Sequence, residues 1–114
     1  MKSEDISWRL GETVIDATVA APDEPGRYPG VVLVAGSGPT DRNWESPLLP
    51  GANGSGRLIA EQLASSGYVT MRYDKRASGP RAQQNVAILS GTISLESHFD
   101  ELNSAVSQLL ARPD

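Results

Sequence analysis

A chain of 114 residues with 39% hydrophobic and 21% charged residues has globular composition and room for one domain at most. Its formal charge of −4, with Lys2, Arg9, Lys75 and Arg76 scattered among acidic neighbours, speaks against nucleic acid and anionic membrane as partners. The absence of cysteine removes disulfides, thiolate metal sites and a cysteine nucleophile. Residues Met1 to Asp5 are charged and lead into a strand pattern rather than the apolar stretch of a signal peptide, so a cytoplasmic location is expected.

Apolar residues alternate in two stretches, Ile6-Trp8-Leu10 and Ile15-Ala17-Val19, separated by Gly11-Glu12, which predicts a β-hairpin over residues 6–20. Residues 21–30 are dense in proline and glycine and read as a turn-rich connection. Val31-Val32-Leu33-Val34-Ala35 is β-branched and does not alternate, the pattern of a central strand covered on both faces by helices. Gly36 to Gly54 holds too much glycine and proline for a regular element, and long loops inside compact domains are often functional.

From Ser55 to Ser66 the pattern becomes helical. Leu58, Ile59 and Leu63 fall on one side, Ser55 is placed to cap the start, and Gly67 is placed to end it. Tyr68 to Tyr73 returns to strand character, and a helix between two strands implies a parallel crossover. Residues 82–93 carry weak signals and read as loop. Leu95, Phe99, Leu102, Val106 and Leu109 recur at steps of four and three, which predicts a final helix with these five on one face, a face left with only part of its cover if the nucleophile strand is missing. The predicted order is β-β-β-α-β-α, an α/β fold with a mixed sheet, in one unit over residues 1–114.

The segment Ala35-Gly36-Ser37-Gly38-Pro39-Thr40-Asp41-Arg42 follows the third strand, at the carboxyl end of a parallel pair where loop amides can face a ligand. It is not a dinucleotide fingerprint, because Asp41 stands where G-x-G-x-x-G needs its third glycine. Nor does the chain contain a G-x-x-x-x-G-K phosphate loop.

This segment resembles the H-G-S-G-P-x-D-R loop of α/β-hydrolases of the serine esterase and acyl-hydrolase type, with Ala35 in place of the histidine. Arg72-Tyr73-Asp74-Lys75-Arg76 is similar to the R-Y-D-K-R that ends the next strand in that family, although Ala77-Ser78-Gly79 replaces the usual glycine-led turn. Ala111-Arg112-Pro113-Asp114 is similar to the end of the helix that precedes the nucleophile strand. The resemblance implies the amino-terminal half of an α/β-hydrolase acting on carboxylic esters or thioesters through a serine acyl-enzyme. It implies that the Ser37 amide, with Gly38 as second candidate, donates to the oxyanion, a role typically worth about 3–4 kcal/mol per donor. The Ser37 hydroxyl is not a candidate nucleophile. Asp41 and Arg42 could form a local ion pair or touch substrate, but exposed and solvated is the expected state of such loop charges. Asp74 and Arg76 read as strand-end architecture.

No serine in the chain has the flanking glycines of a G-x-S-x-G elbow, so the nucleophile is expected outside these residues and the chain alone is expected to be inactive. His98, the sole histidine, lies inside the last helix and reads as flanking a packing interface rather than as a catalytic base. One histidine, no cysteine and no clustered carboxylate motif leave no metal site, and no cofactor is expected. Without the nucleophile strand beside it, residues 31–35 would form an open apolar edge. The expected partner is therefore the carboxyl-terminal half of the same hydrolase, or another copy meeting that edge. The alternative reading is a non-catalytic module that binds a small anion through the amides of the Gly36–Arg42 loop.

Overall fold

The computed structural model describes residues 1–35, 41–44, 54–75, 82, 85 and 95–112, excluding the side chains of 95–97. The hairpin predicted at the amino terminus is present and longer than expected. β1 (Lys2–Leu10) runs antiparallel to β2 (Thr13–Ala21), in a register from Lys2 opposite Ala21 to Leu10 opposite Thr13. The two-residue connection fixes that register, with Gly11 at φ 64° in the first loop position, where a twist-compatible hairpin turn favours glycine.

β3 (Gly30–Leu33) pairs in parallel with β4 (Val69–Tyr73), and β4 pairs antiparallel with β2. The mixed four-stranded sheet has the order β1-β2-β4-β3. β3 thus lies at the sheet edge and stops two residues earlier than predicted, leaving Val34 46% exposed. The strand buried throughout is β4.

Among the described residues, two helices lie on opposite faces of the sheet. Trp8, Ile15, Ala17, Val19, Val69, Met71 and Tyr73 form one core with Ala105 of α2 (Leu95–Leu110), while Leu109 packs against its margin. On the other face, α1 (Ser55–Ser65) packs on β2 and β4, and the Thr70 hydroxyl donates at 3.4 Å to the carbonyls of Ala20 and Ala60. Burying each large apolar side chain contributes roughly 1.5–3 kcal/mol, so Ile15, Val19 and Met71 are main supports of the sheet.

α1 turns a different face inward from the one predicted, whereas the last helix departs from it only in part, with Leu102 and Leu109 half-buried. α1 buries Gly56, Ala60 and Ala64, whereas Leu58 and Ile59 are exposed. The small residues permit close approach of the helix to the sheet, and size overrides hydrophobicity. Its cap also differs: the N-cap position is held by Gly54, at φ 63°, and Ser55 begins the helix. The carboxyl end follows the prediction, because Gly67 at φ 99° lets Tyr68 N–H reach the Leu63 carbonyl and Gly67 N–H reach that of Ala64.

Among the described side chains of α2, Glu101 and Ala105 are buried, while Phe99 and Val106 of the predicted apolar face are 55% and 38% exposed. Trp8 sets this rotation in part, donating from Nε1 to the Ser104 hydroxyl at 3.1 Å. Ala82 and Asn85 are helical where a loop was expected. The buried Asn85 amide bonds both the N–H and the carbonyl of Val14, a tertiary anchor that no periodicity signals.

Candidate functional site at the carboxyl ends of β3 and β4

The chain leaves β3 at the carboxyl end of the parallel pair, and its described path resumes at Asp41. Ser37 and Gly38, the residues the sequence nominates as oxyanion donors, lie outside the described residues, as does Arg76. The far end of their loop is described in detail. The Asp41 carboxylate accepts from Asn43 N–H at 2.9 Å and the Asp41 carbonyl accepts from Trp44 N–H at 2.9 Å, a tight local turn that carries Trp44 to φ 63°.

Arg42 is neither solvated nor closed on Asp41. Its side chain is only 20% exposed, its main-chain N–H donates to Asp74 Oδ1 at 2.8 Å, and its Nε lies 3.4 Å from Asp74 Oδ2. The same guanidinium donates from Nη1 to the Thr18 hydroxyl at 3.2 Å, and that hydroxyl donates to Asp5 at 2.6 Å. Arg42 therefore ties the loop to β1, β2 and the end of β4. Asp74 is itself held by its N–H on the Asp16 carbonyl at 2.9 Å.

Burial pushes the Asp74 carboxyl above the ordinary carboxylate range, although the Arg42 N–H and charge pull the other way. Burial likewise lowers the Arg72 guanidinium, with Glu61 opposing that change. Arg72 donates from Nε to Asn43 Oδ1 at 3.2 Å, and the Asn43 carbonyl accepts from Gly56 N–H at 3.0 Å at the start of α1. Two residues that the sequence reading passed over, Asn43 and Thr18, thus join the loop to the helix and the sheet. The D-x-N spacing of Asp41 and Asn43 is the signal that could have revealed the first.

Beneath the end of β4, on the α2 face, Lys75 and Glu101 are buried, and burial lowers the Lys75 ammonium while Glu101 opposes it. His98 stands on the rim as expected, 45% exposed, with Nδ1 3.2 Å from Glu101 Oε2. Among the described residues no group of three or more His, Cys, Asp or Glu could hold a metal, and no helix is long and apolar enough to cross a membrane.

No family model and no curated protein matches this chain. A solved structure named m3DLH is similar to it, with a TM-score of 0.66 and 20% sequence identity; the match covers 98% of this chain and 44% of that one. That similarity establishes an α/β fold. The chain spans less than half the length of the structure it matches.

Proposed function

We propose that this chain is the amino-terminal part of a serine α/β-hydrolase of carboxylic esters or thioesters, supplying the loop that stabilises the oxyanion while the nucleophile comes from residues beyond it. One observation carries the reading. The two stretches that resemble family motifs meet at the carboxyl ends of the parallel strands through the 2.8 Å bond from Arg42 N–H to Asp74, thirty-two positions apart in sequence. Ligands of open α/β sheets bind at that end.

In this scheme the Ser37 amide, seconded by Gly38, donates to the oxygen that gains charge as a serine attacks the acyl carbon. A histidine outside these residues moves the proton between nucleophile and leaving group. The completing segment docks on the open edge of β3. Beside that edge lie the exposed Val34 and a groove of about 430 Å³ whose mostly apolar lining, including Tyr28, Val32, Val69 and Leu109, also holds Arg27 and Arg112. An open apolar edge also suits a second copy of the chain, the alternative occupant. Turnover of p-nitrophenyl acetate tests the scheme: the 114 residues alone stay inactive, and a protein that adds the completing segment hydrolyses the ester.

The second reading, a small-anion-binding module, draws support from buried donors. Trp44 Nε1 and Arg72 Nη1 have no hydrogen-bond acceptor among the described residues. Calorimetric titration with inorganic phosphate separates the two, since the hydrolase reading expects no tight binding by this chain.

A further inference from the structure

Arg72 is 5% exposed, yet among the described residues no carboxylate pairs with it, whereas Arg42, Arg57 and Arg112 each have such a partner. The acid that acts on it most strongly, Glu61, is engaged by Arg57 at 3.4 Å. Buried charges are as a rule paired, because an ion loses its hydration on burial. The donors of Arg72 are not used up either. Nε bonds Asn43 Oδ1, but Nη1 is buried with no acceptor among the described residues, and the same holds for Trp44 Nε1.

These groups share the amino end of α1. Thr70 reaches the Ala60 carbonyl of this helix, and strand alternation turns Arg72, two residues on, to the same face and nearer the helix start. Asn43, which holds Arg72 Nε, accepts from Gly56 N–H through its carbonyl, and the Trp44 ring lies against Gly56 in the first turn. That turn contains no acidic residue, and no side chain caps it by a hydrogen bond. The helix dipole therefore adds to the positive potential of Arg72 instead of being offset. Asn43 and Trp44 are only half-buried, which leaves a small solute a route to this end of the helix.

We propose that the Arg72 guanidinium and Trp44 Nε1, at the amino end of α1, bind a small carboxylate. A carboxylate is acceptor-only, with two oxygens and one negative charge, and so complements two unpaired donors and one unpaired cation. A dianion such as phosphate leaves one negative charge uncompensated near Glu61. The site uses no amide of the loop that leaves β3, and it stands whichever reading of the chain holds.

The test is titration of the 114-residue chain with sodium acetate, followed through the indole N–H resonances, with sodium chloride at matched ionic strength as the reference. The Trp44 signal is expected to shift saturably with a midpoint on the order of 1–10 mM, in keeping with so small a ligand. The Trp8 signal, from an indole bonded to Ser104 on the opposite face of the sheet, stays in place. Trp44→Phe, followed through the Arg72 Nε–H resonance, raises the midpoint about tenfold, the loss of one charge-assisted hydrogen bond. Arg72→Gln removes the cation and abolishes the saturable shift.

No saturable shift at Trp44, or an equal shift with chloride or with neutral acetamide, would overturn the proposal. So would tighter binding of phosphate at the same resonances, which assigns the site to another class of anion. Acetate binding left intact by both substitutions places the ligand elsewhere and overturns it too. If Arg72→Gln fails to fold, the parent titration and Trp44→Phe decide the matter. No turnover is read, so the outcome is separate from that of the ester assay.

Discussion

The indole of Trp44 occupies the space where a Cβ on Gly56 would stand: a methyl there would come within 2.7 Å of Trp44 Cγ and 3.0 Å of the Asn43 main-chain carbon. The first turn of α1 and the exit of the β3 loop are therefore in direct contact, and glycine is the residue that allows it. In an exposed helix, Gly→Ala would stabilise by roughly 0.5–1 kcal/mol. At Gly56 the overlap outweighs this gain, so Gly56→Ala is expected to destabilise by about 1–2 kcal/mol, overpacking typically costing 1–3. Urea denaturation of the two proteins checks the sign.

Tyr73 governs the alkaline limit. Its phenol is buried, and burial with the nearby Glu101 charge pushes its pKa up from 10.0 to about 12. A group whose pKa is raised by folding contributes stability that is complete below its unfolded pKa and is lost as pH rises through the folded one. The loss therefore falls between about pH 10 and pH 12, at ~1.4 kcal/mol per pH unit and so about 3 kcal/mol in all. Denaturation midpoints measured across that window should fall for the parent, whereas Tyr73→Phe should show a shallower fall.

The Trp8–Ser104 hydrogen bond joins β1 to α2 across ninety-six positions. Ser104→Ala leaves the indole N–H without this acceptor in a residue only 8% exposed. The expected loss is about 1–3 kcal/mol, the usual penalty for an unsatisfied buried donor. Trp8 fluorescence followed through the urea transition reports both the midpoint and the changed environment of the ring.

On the outer side of α2, Phe99 and Leu110 are 55% and 79% exposed among polar neighbours, and among the described residues no strand pairs with the outer edge of β3. Sedimentation of the 114-residue chain should show association that rises with concentration. Phe99→Lys combined with Leu110→Lys should reduce it, while Lys2→Glu on the opposite edge strand should not. Association untouched by the α2 substitutions would place the contact elsewhere.

The elements were legible in the sequence because their signals are local. Alternation across Gly11-Glu12 marks the hairpin, Gly67 marks the end of α1, and the β-branched run marks β3. The inward face of α1 was not legible, and that of α2 was legible only in part, through Leu102 and Leu109. Ala60, Ala64 and Ala105 are buried for their small size, which the hydrophobic pattern does not weigh, and Glu101 is buried beside them. At the site, the position of the loop could be read from its motif, but the destination of Arg42 could not. Its partner Asp74 is remote in sequence, and the nearer Asp41 carboxylate instead accepts from the Asn43 N–H.

Fluorophosphonate labelling, with mapping of the modified serine, tests the proposed division of the active site most directly. The account expects no labelled serine in the 114-residue chain. Once the segment carrying the next strand is added, it expects labelling at a serine of that segment. Labelling of a serine within these residues, Ser37 above all, or a completed protein that takes up no probe, would contradict it.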